Sequence, residues 1–156
     1  MLSAQASVAL DAWARLLQAH ASTTRALSGS LLAEHGLTLN DYEALLRLAR
    51  AEAGQMRRVD LADQLTLSAS GVTRLLDGLE ASGLVKRGSC STDRRVVYAV
   101  ITGAGRAKLE TASESHLAEV RALFDERFGP GELEQLAGLL ARLPGAEDAS
   151  GEDCAA

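Results

Sequence analysis

Aromatic residues, cysteine and long apolar runs are all scarce in this 156-residue chain, and each scarcity excludes a class of protein. Two cysteines, Cys90 and Cys154, are too few for the disulfide framework of a small secreted domain. No run approaches the roughly 18 apolar residues of a membrane-spanning helix, and no signal-peptide run stands near Met1. We therefore expect a cytoplasmic protein without a membrane partner. The low aromatic content of 3% and the many Ala and Leu residues favour a mostly helical fold.

Enzyme signatures are also lacking. The sequence has no Gly-x-Ser-x-Gly and no His-Glu-x-x-His segment. Gly103-Ala104-Gly105 begins like a dinucleotide-binding loop, but Lys108 replaces the third glycine and no βαβ pattern surrounds it. The three histidines and two cysteines do not have zinc-ligand spacing. We expect no catalytic residues, no metal site and no cofactor.

Positive charge is scarce overall but concentrated in one segment. The chain has a net charge of −5, yet the segment from Gln55 to Lys108 holds nine basic and five acidic residues, a net charge of +4. The rest of the chain therefore carries −9. A basic module on an acidic body favours a nucleic-acid reader, because the module attracts phosphate while the body limits indiscriminate binding.

The same segment has the pattern of a helix-turn-helix followed by a β-hairpin. A short helix has Val59, Leu61, Ala62 and Leu65 facing inward, and Thr66-Leu67 forms the turn. Ser68 caps the next helix, which ends at Gly83. Its apolar residues recur at helical spacing: Val72, Leu75, Leu76 and Leu79. The β-branched run Val96–Ile101 is then expected to return along the strand Leu84–Arg87.

Side chains on the outward face of the second helix are short or basic. Ser70, Gly71, Thr73 and Arg74 would let the helix lie close in the major groove, where Arg can pair with guanine. The hairpin loop, Gly88–Arg95, carries Arg94 near its tip, within reach of the minor groove. The alternative is an ordinary solvated helix and loop. We predict the following DNA-contacting residues: Ser68, Ser70, Gly71, Thr73, Arg74, Lys86, Arg94 and Arg95.

These motifs resemble the multiple antibiotic resistance regulator (MarR) family. The similarity lies in Leu67–Leu75, in Leu79–Val85, and in Asp93-Arg94-Arg95 followed by a strand, Ile101-Thr102 and Gly105. The resemblance implies a winged-helix homodimer that binds a pseudo-palindrome of double-stranded DNA, usually as a repressor, and often releases it when an anionic effector or oxidant is present. Gly78 departs from the family pattern, where a larger polar or basic residue is more usual.

Long helices are expected on both sides of the winged segment. Leu10, Trp13, Leu17, His20, Thr24, Leu27 and Leu31 form one seam at alternating spacings of three and four. Thr102 is expected to cap a helix running to about Phe128, and a last helix precedes Pro144. A small winged core cannot bury the apolar faces of all these helices, so we predict dimerisation through residues 1–36 and 102–144. We predict DNA binding through residues 37–101 and a disordered tail, 145–156.

The fold class is thus a mostly α winged helix-turn-helix with a small β-hairpin wing (α+β). The resemblance places an effector site at the junction of the dimer helices and the winged region. Aromatic or polar residues expected near it are Trp13, Arg15, His20, Thr24, Tyr42 and His116. They are equally compatible with core aromatics and interface polar groups.

Two alternatives to an effector-released repressor remain open from the sequence. Oxidation of Cys90 in the wing would make the regulator redox-responsive, although a bystander thiol explains this cysteine as well. A dimeric winged helix that binds only protein and never reads DNA is the second alternative. The basic wing favours DNA.

Overall fold

The computed structural model describes residues 4–89 and 96–146, which form six α-helices and one three-stranded antiparallel sheet. The chain divides into two units, residues 1–39 and 40–156. The elements in chain order are α1 (Ala4–His35), α2 (Leu39–Arg50), β1 (Gln55–Arg57), α3 (Arg58–Gln64), α4 (Ala69–Ala81), β2 (Val85–Ser89), β3 (Val97–Ile101), α5 (Gly103–Asp125) and α6 (Pro130–Leu140).

Helix α1 forms most of the first unit. It ends where Gly36 adopts a positive φ of 67°, a conformation that glycine reaches without a Cβ clash. The backbone N–H of Gly36 donates to the Leu32 carbonyl at 3.0 Å. In the first half of the helix the seam residues Leu10, Trp13 and Leu17 are exposed, and Trp13 has 57% of its surface accessible.

The second unit packs α2 to α5 and the small sheet around an aliphatic core. The strand order is β1-β3-β2, so β3 lies in the centre. Ala99 of β3 pairs with Met56 of β1 on one side and with Arg87 of β2 on the other. Helix α2 ends at Arg50, and a 3₁₀ turn (Glu52–Gly54) leads into β1. The core side chains of this unit are Leu45, Leu48, Leu61, Leu76, Leu79, Val85, Ile101 and Leu109, together with smaller neighbours.

The predicted helix-turn-helix consists of α3 and α4. Ser68 is the N-cap of α4, as the sequence predicted. One inward assignment was wrong: Val59 is 63% exposed. The buried residues are Leu61 and Ala62 of α3 and Leu65 just after it. Val59 lies about 200° round the helix from Leu61, which places it on the solvent side.

The end of α4 and the start of α5 meet at Thr102. Its hydroxyl donates to the Gly83 carbonyl at 2.7 Å, lies 3.1 Å from the Leu84 carbonyl, and accepts the backbone N–H of Gly105 at 3.0 Å. Thr102 is thereby the predicted N-cap of α5, which ends at Asp125 rather than near Phe128.

Within residues 4–89 and 96–146, no helix combines the length and hydropathy required to cross a bilayer.

Candidate nucleic-acid interface

Three hydroxyl groups cluster at the N-terminal end of α4. The Ser68 Oγ accepts the Gly71 backbone N–H at 3.1 Å and lies 3.2 Å from the Ser70 Oγ. The Thr73 hydroxyl donates to the Ala69 carbonyl at 2.8 Å, so its lone pairs remain available as acceptors. All three residues are exposed. Gly71 is tightly placed, because a Cβ there would lie 3.2 Å from the Ser68 Oγ.

Arg74 is the one cation of this helix face. It is exposed, and it makes no ion pair or hydrogen bond with any residue in the described ranges. Three of the four acidic side chains described between Gln55 and Lys108 are paired with arginines: Asp60 with Arg57, and both Asp77 and Glu80 with Arg87. Asp77, one turn after Arg74 on α4, is therefore engaged by Arg87.

The hairpin supplies a second cationic position. Lys86 is exposed on β2, opposite Val100 of β3. The ladder continues through Gly88–Tyr98 and Ser89–Val97, so β2 extends two residues beyond the predicted strand end at Arg87. Arg94, Arg95 and Cys90 lie outside the described residues. Their roles stay predictions.

Ion pairs of Arg57 and Arg87 were not anticipated from the sequence. Arg57 contacts both carboxylate oxygens of Asp60, at 2.7 and 2.8 Å. The i,i+3 spacing of the two residues is the sequence signal for this pair. The hydrogen bond and the charge of Asp60 raise the pKa of Arg57. Arg87 reaches Asp77 and Glu80, ten and seven residues earlier. The only sequence signal for that contact is two acids one helical turn apart.

Two of the predicted effector residues meet in the interior of the second unit. The Tyr42 hydroxyl and the Ser113 hydroxyl are 3.1 Å apart, and the rings of Tyr42 and His116 have centroids 4.7 Å apart. Among the described residues, the buried Nδ1 of His116 has no hydrogen-bond partner. Ser113, one turn before His116 on α5, was not predicted as part of this cluster. No group of three potential metal ligands occurs in the described part of the chain.

The other four predicted effector residues are on α1. Trp13 and His20 are exposed, and Thr24 is half-buried. Arg15 pairs with Asp11 at 2.8 Å, which raises the pKa of Arg15 through that hydrogen bond and the charge of Asp11. The participation of these residues in an effector site stays a prediction.

Burial lowers the pKa of His116, and the negative charge of Glu119 opposes this only in part. A histidine with a lowered pKa binds its proton more readily in the unfolded chain than in the folded one. Its contribution to the free energy of unfolding is therefore present above the ordinary histidine pKa of about 6.5 and is lost as the pH falls below that value. We expect His116→Gln to reduce the loss of stability between pH 7 and pH 5, measured by denaturant unfolding at each pH. The exposed His20, changed to Gln, is the control. Equal pH dependence in wild type and His116→Gln would contradict this assignment.

Proteins of known structure share this fold. The solved structure of AbsC, a MarR family transcriptional regulator from Streptomyces coelicolor, is 32% identical and superposes with a TM-score of 0.77, covering 90% of this chain and 92% of that one. The chain belongs to the MarR family. The family model described as MarR family matches residues 35–96, which include α2 to α4 and β2. Both the family and the winged helix-turn-helix fold class predicted from the sequence are confirmed.

Other similar proteins include a repressor and a regulator solved with DNA. The HTH-type transcriptional repressor YetL of Bacillus subtilis is 28% identical over 93 residues, which are 60% of this chain and 56% of that repressor. The chain therefore matches a little over half of YetL's length. The structure of Sco3205, a MarR family transcriptional regulator from Streptomyces coelicolor in complex with DNA, is 24% identical with a TM-score of 0.78, over 89% of this chain and 86% of that one. At that identity the likeness supports the fold alone. These relatives are transcriptional regulators, a non-enzymatic class.

Proposed function

We propose that this MarR family regulator binds a pseudo-palindromic operator in double-stranded DNA as a homodimer and represses transcription. The observation that carries the proposal is Arg74, exposed and without an ion pair in the described part of the chain, beside the exposed hydroxyls of Ser70 and Thr73 on α4. An arginine flanked by short side chains on a capped helix can approach base edges in the major groove. The wing, with Lys86 on β2 and Arg94 and Arg95 in its loop, is proposed to contact the flanking phosphates and minor groove.

A gel-shift titration tests the DNA-binding proposal. The probes are the upstream region of the protein's own gene and a length-matched random duplex, compared at low and at moderate salt. Retention of both probes at low salt, with preference for the upstream region as salt rises, supports a sequence reader. Retention of neither probe at low salt would contradict the proposal and favour the protein-binding winged helix.

Exposed apolar side chains at both ends of the described chain support the homodimer. Leu10, Trp13 and Leu17 follow one seam of α1, while Leu139, Leu140 and Leu143 are exposed in and just after α6. Such surface is costly in water, and a second copy of the chain would cover it. A two-fold dimer would place two copies of α4 about 34 Å apart, one turn of duplex DNA, or a multiple of it. The grouping of residues 1–36 with 102–144 as the dimerisation region stays part of this proposal.

We expect Trp13→Glu to weaken the dimer by about tenfold or more, because an unpaired carboxylate would be buried in each half of the interface. Sedimentation equilibrium across micromolar concentrations measures the change. Ala12→Glu, an exposed position off the seam, introduces the same charge and should leave the wild-type association constant unchanged. Wild-type protein that is monomeric at micromolar concentration would contradict the dimer.

Release by a small anionic or aromatic effector completes the proposal. Its support is the cluster of Tyr42, Ser113 and His116, in which a buried ring nitrogen lacks a partner among the described residues. A thermal-shift titration with benzoate and hydroxybenzoates, repeated with Tyr42→Phe, tests it. A rise in midpoint with wild type that is smaller with Tyr42→Phe is expected. No shift from any aromatic acid would contradict this class of effector.

A further inference from the structure

We propose that Arg87 is a positioning residue that holds the wing at a fixed orientation to α4 and does not itself bind phosphate. The proposal rests on the DNA-binding function proposed above and adds a component to it. In the sequence, Arg87 reads as one more cation of a basic ribbon. In the structure it is turned toward the helix and engaged by two carboxylates.

The contacts of Arg87 span two elements of the interface. Its Nε donates to both carboxylate oxygens of Glu80, at 3.1 and 3.0 Å, and its Nη2 donates to the Asp77 Oδ1 at 3.2 Å. Asp77 and Glu80 are one turn apart on α4, so both carboxylates face the same point on β2. A planar guanidinium with donors fixed in a fork restricts the relative rotation of its partners more than a single point charge would.

The arrangement of charge on this surface agrees with a structural bridge. Lys86, the neighbouring residue, points to the other face of the hairpin, because successive strand side chains alternate. Lys86 makes no ion pair with any residue in the described ranges, whereas Arg87 faces two acids. A cation already shared by two carboxylates has a smaller net attraction for phosphate than a free one.

The bridge is expected to matter for binding more than for folding. The side chains of Arg87 and Asp77 are 58% and 54% accessible, and exposed ion pairs stabilise folded proteins little. DNA binding, however, requires α4 and the wing to meet the duplex simultaneously, and such sites lose affinity when their supporting contacts loosen. A variant lacking the bridge should fold normally and bind its operator less tightly.

Charge-neutral variants of the two acids distinguish positioning from phosphate contact. Asp77→Asn combined with Glu80→Gln removes two negative charges near the DNA and releases Arg87. If Arg87 were a phosphate ligand restrained by these acids, operator affinity would rise. Positioning predicts the opposite result, a fall of about fivefold at 0.1 M salt.

A thermodynamic cycle and a salt titration complete the experiment. Arg87→Ala should weaken binding on its own, yet add nothing in the Asp77→Asn/Glu80→Gln background, because the bridge is already absent there. The slope of log K against log salt should be unchanged by Arg87→Ala. The matched control Lys86→Ala, at the adjacent strand position, should lower that slope by about one. Thermal midpoints within about 2 °C of wild type identify variants that remain folded.

The outcomes separate this inference from the proposed function. Wild type that binds no duplex would overturn both. Wild type that binds its operator, with higher affinity in the Asp77→Asn/Glu80→Gln variant or a reduced salt slope in Arg87→Ala, would overturn the positioning role alone. Unchanged affinity in all Arg87, Asp77 and Glu80 variants would do the same.

Discussion

Arg74→Ala is expected to weaken operator binding by about 1–3 kcal/mol, the range for loss of one good bidentate contact to a base pair. Arg74 is exposed on α4, beside hydroxyls that can approach the groove, and no residue in the described ranges neutralises it. If the guanidinium reads a base, the loss is confined to specific binding and discrimination relaxes at one operator position. Competition binding with single-base operator variants measures both.

Arg121→Ala is the matched control for the loss of one positive charge. Arg121 is also exposed on a helix, but it stands in the C-terminal half of α5 rather than on α4. We expect its substitution to leave operator preference intact. If Arg74→Ala weakened binding to operator and random DNA equally and reduced the salt slope by about one, Arg74 would be a phosphate contact. Unchanged affinity would remove it from the interface.

Gly105→Ala is expected to cost about 3 kcal/mol of folding free energy. A Cβ at this position would overlap the backbone carbonyl oxygen of Leu84 and lie 2.8 Å from the Ile101 Cγ1. Backbone cannot move aside as a flexible side chain can. Either α5 shifts away from the loop after α4, or the N-cap bond from the Gly105 N–H to Thr102 is lost. Urea unfolding of both proteins at the same concentration measures the difference.

Gly103→Ala provides the control within the same helical turn. Nothing lies within 4 Å of a Cβ built at Gly103. Because alanine favours helix over glycine by about 0.5–1 kcal/mol, this variant should match or exceed wild-type stability. If both alanines destabilised the protein equally, the cost would come from helix initiation and not from the close approach to Leu84.

Local patterns in the sequence were enough to predict most of the fold. The spacing of Val72, Leu76 and Leu79 marked the buried side of α4, and these three residues are buried. The caps at Ser68 and Thr102 were predicted, because each depends on residues within a few positions along the chain. The two strands of the hairpin were placed to within two residues.

Features that depend on tertiary contacts were not predictable in the same way. Arg87 was counted only as one of the nine basic residues between Gln55 and Lys108, because sequence does not show that β2 runs beside the acids of α4. Tyr42 and Ser113 are 71 positions apart, and no local pattern joins them. Val59 was placed inward from its chemistry alone, whereas its angle round the short helix α3 puts it in solvent. The DNA-contacting residues stay predictions, because no local sequence pattern determines which side chains touch the duplex.

The hydroxyl of Thr102 has a mechanical consequence for the hairpin. The Thr102 side chain donates to the loop after α4 and caps the start of α5. Strands β2 and β3 lie between these two segments of the chain. The base of the hairpin is therefore pinned at both strand ends to a single polar junction. If the start of α5 moves, either the Thr102 hydrogen bonds break or the hairpin moves together with the helix.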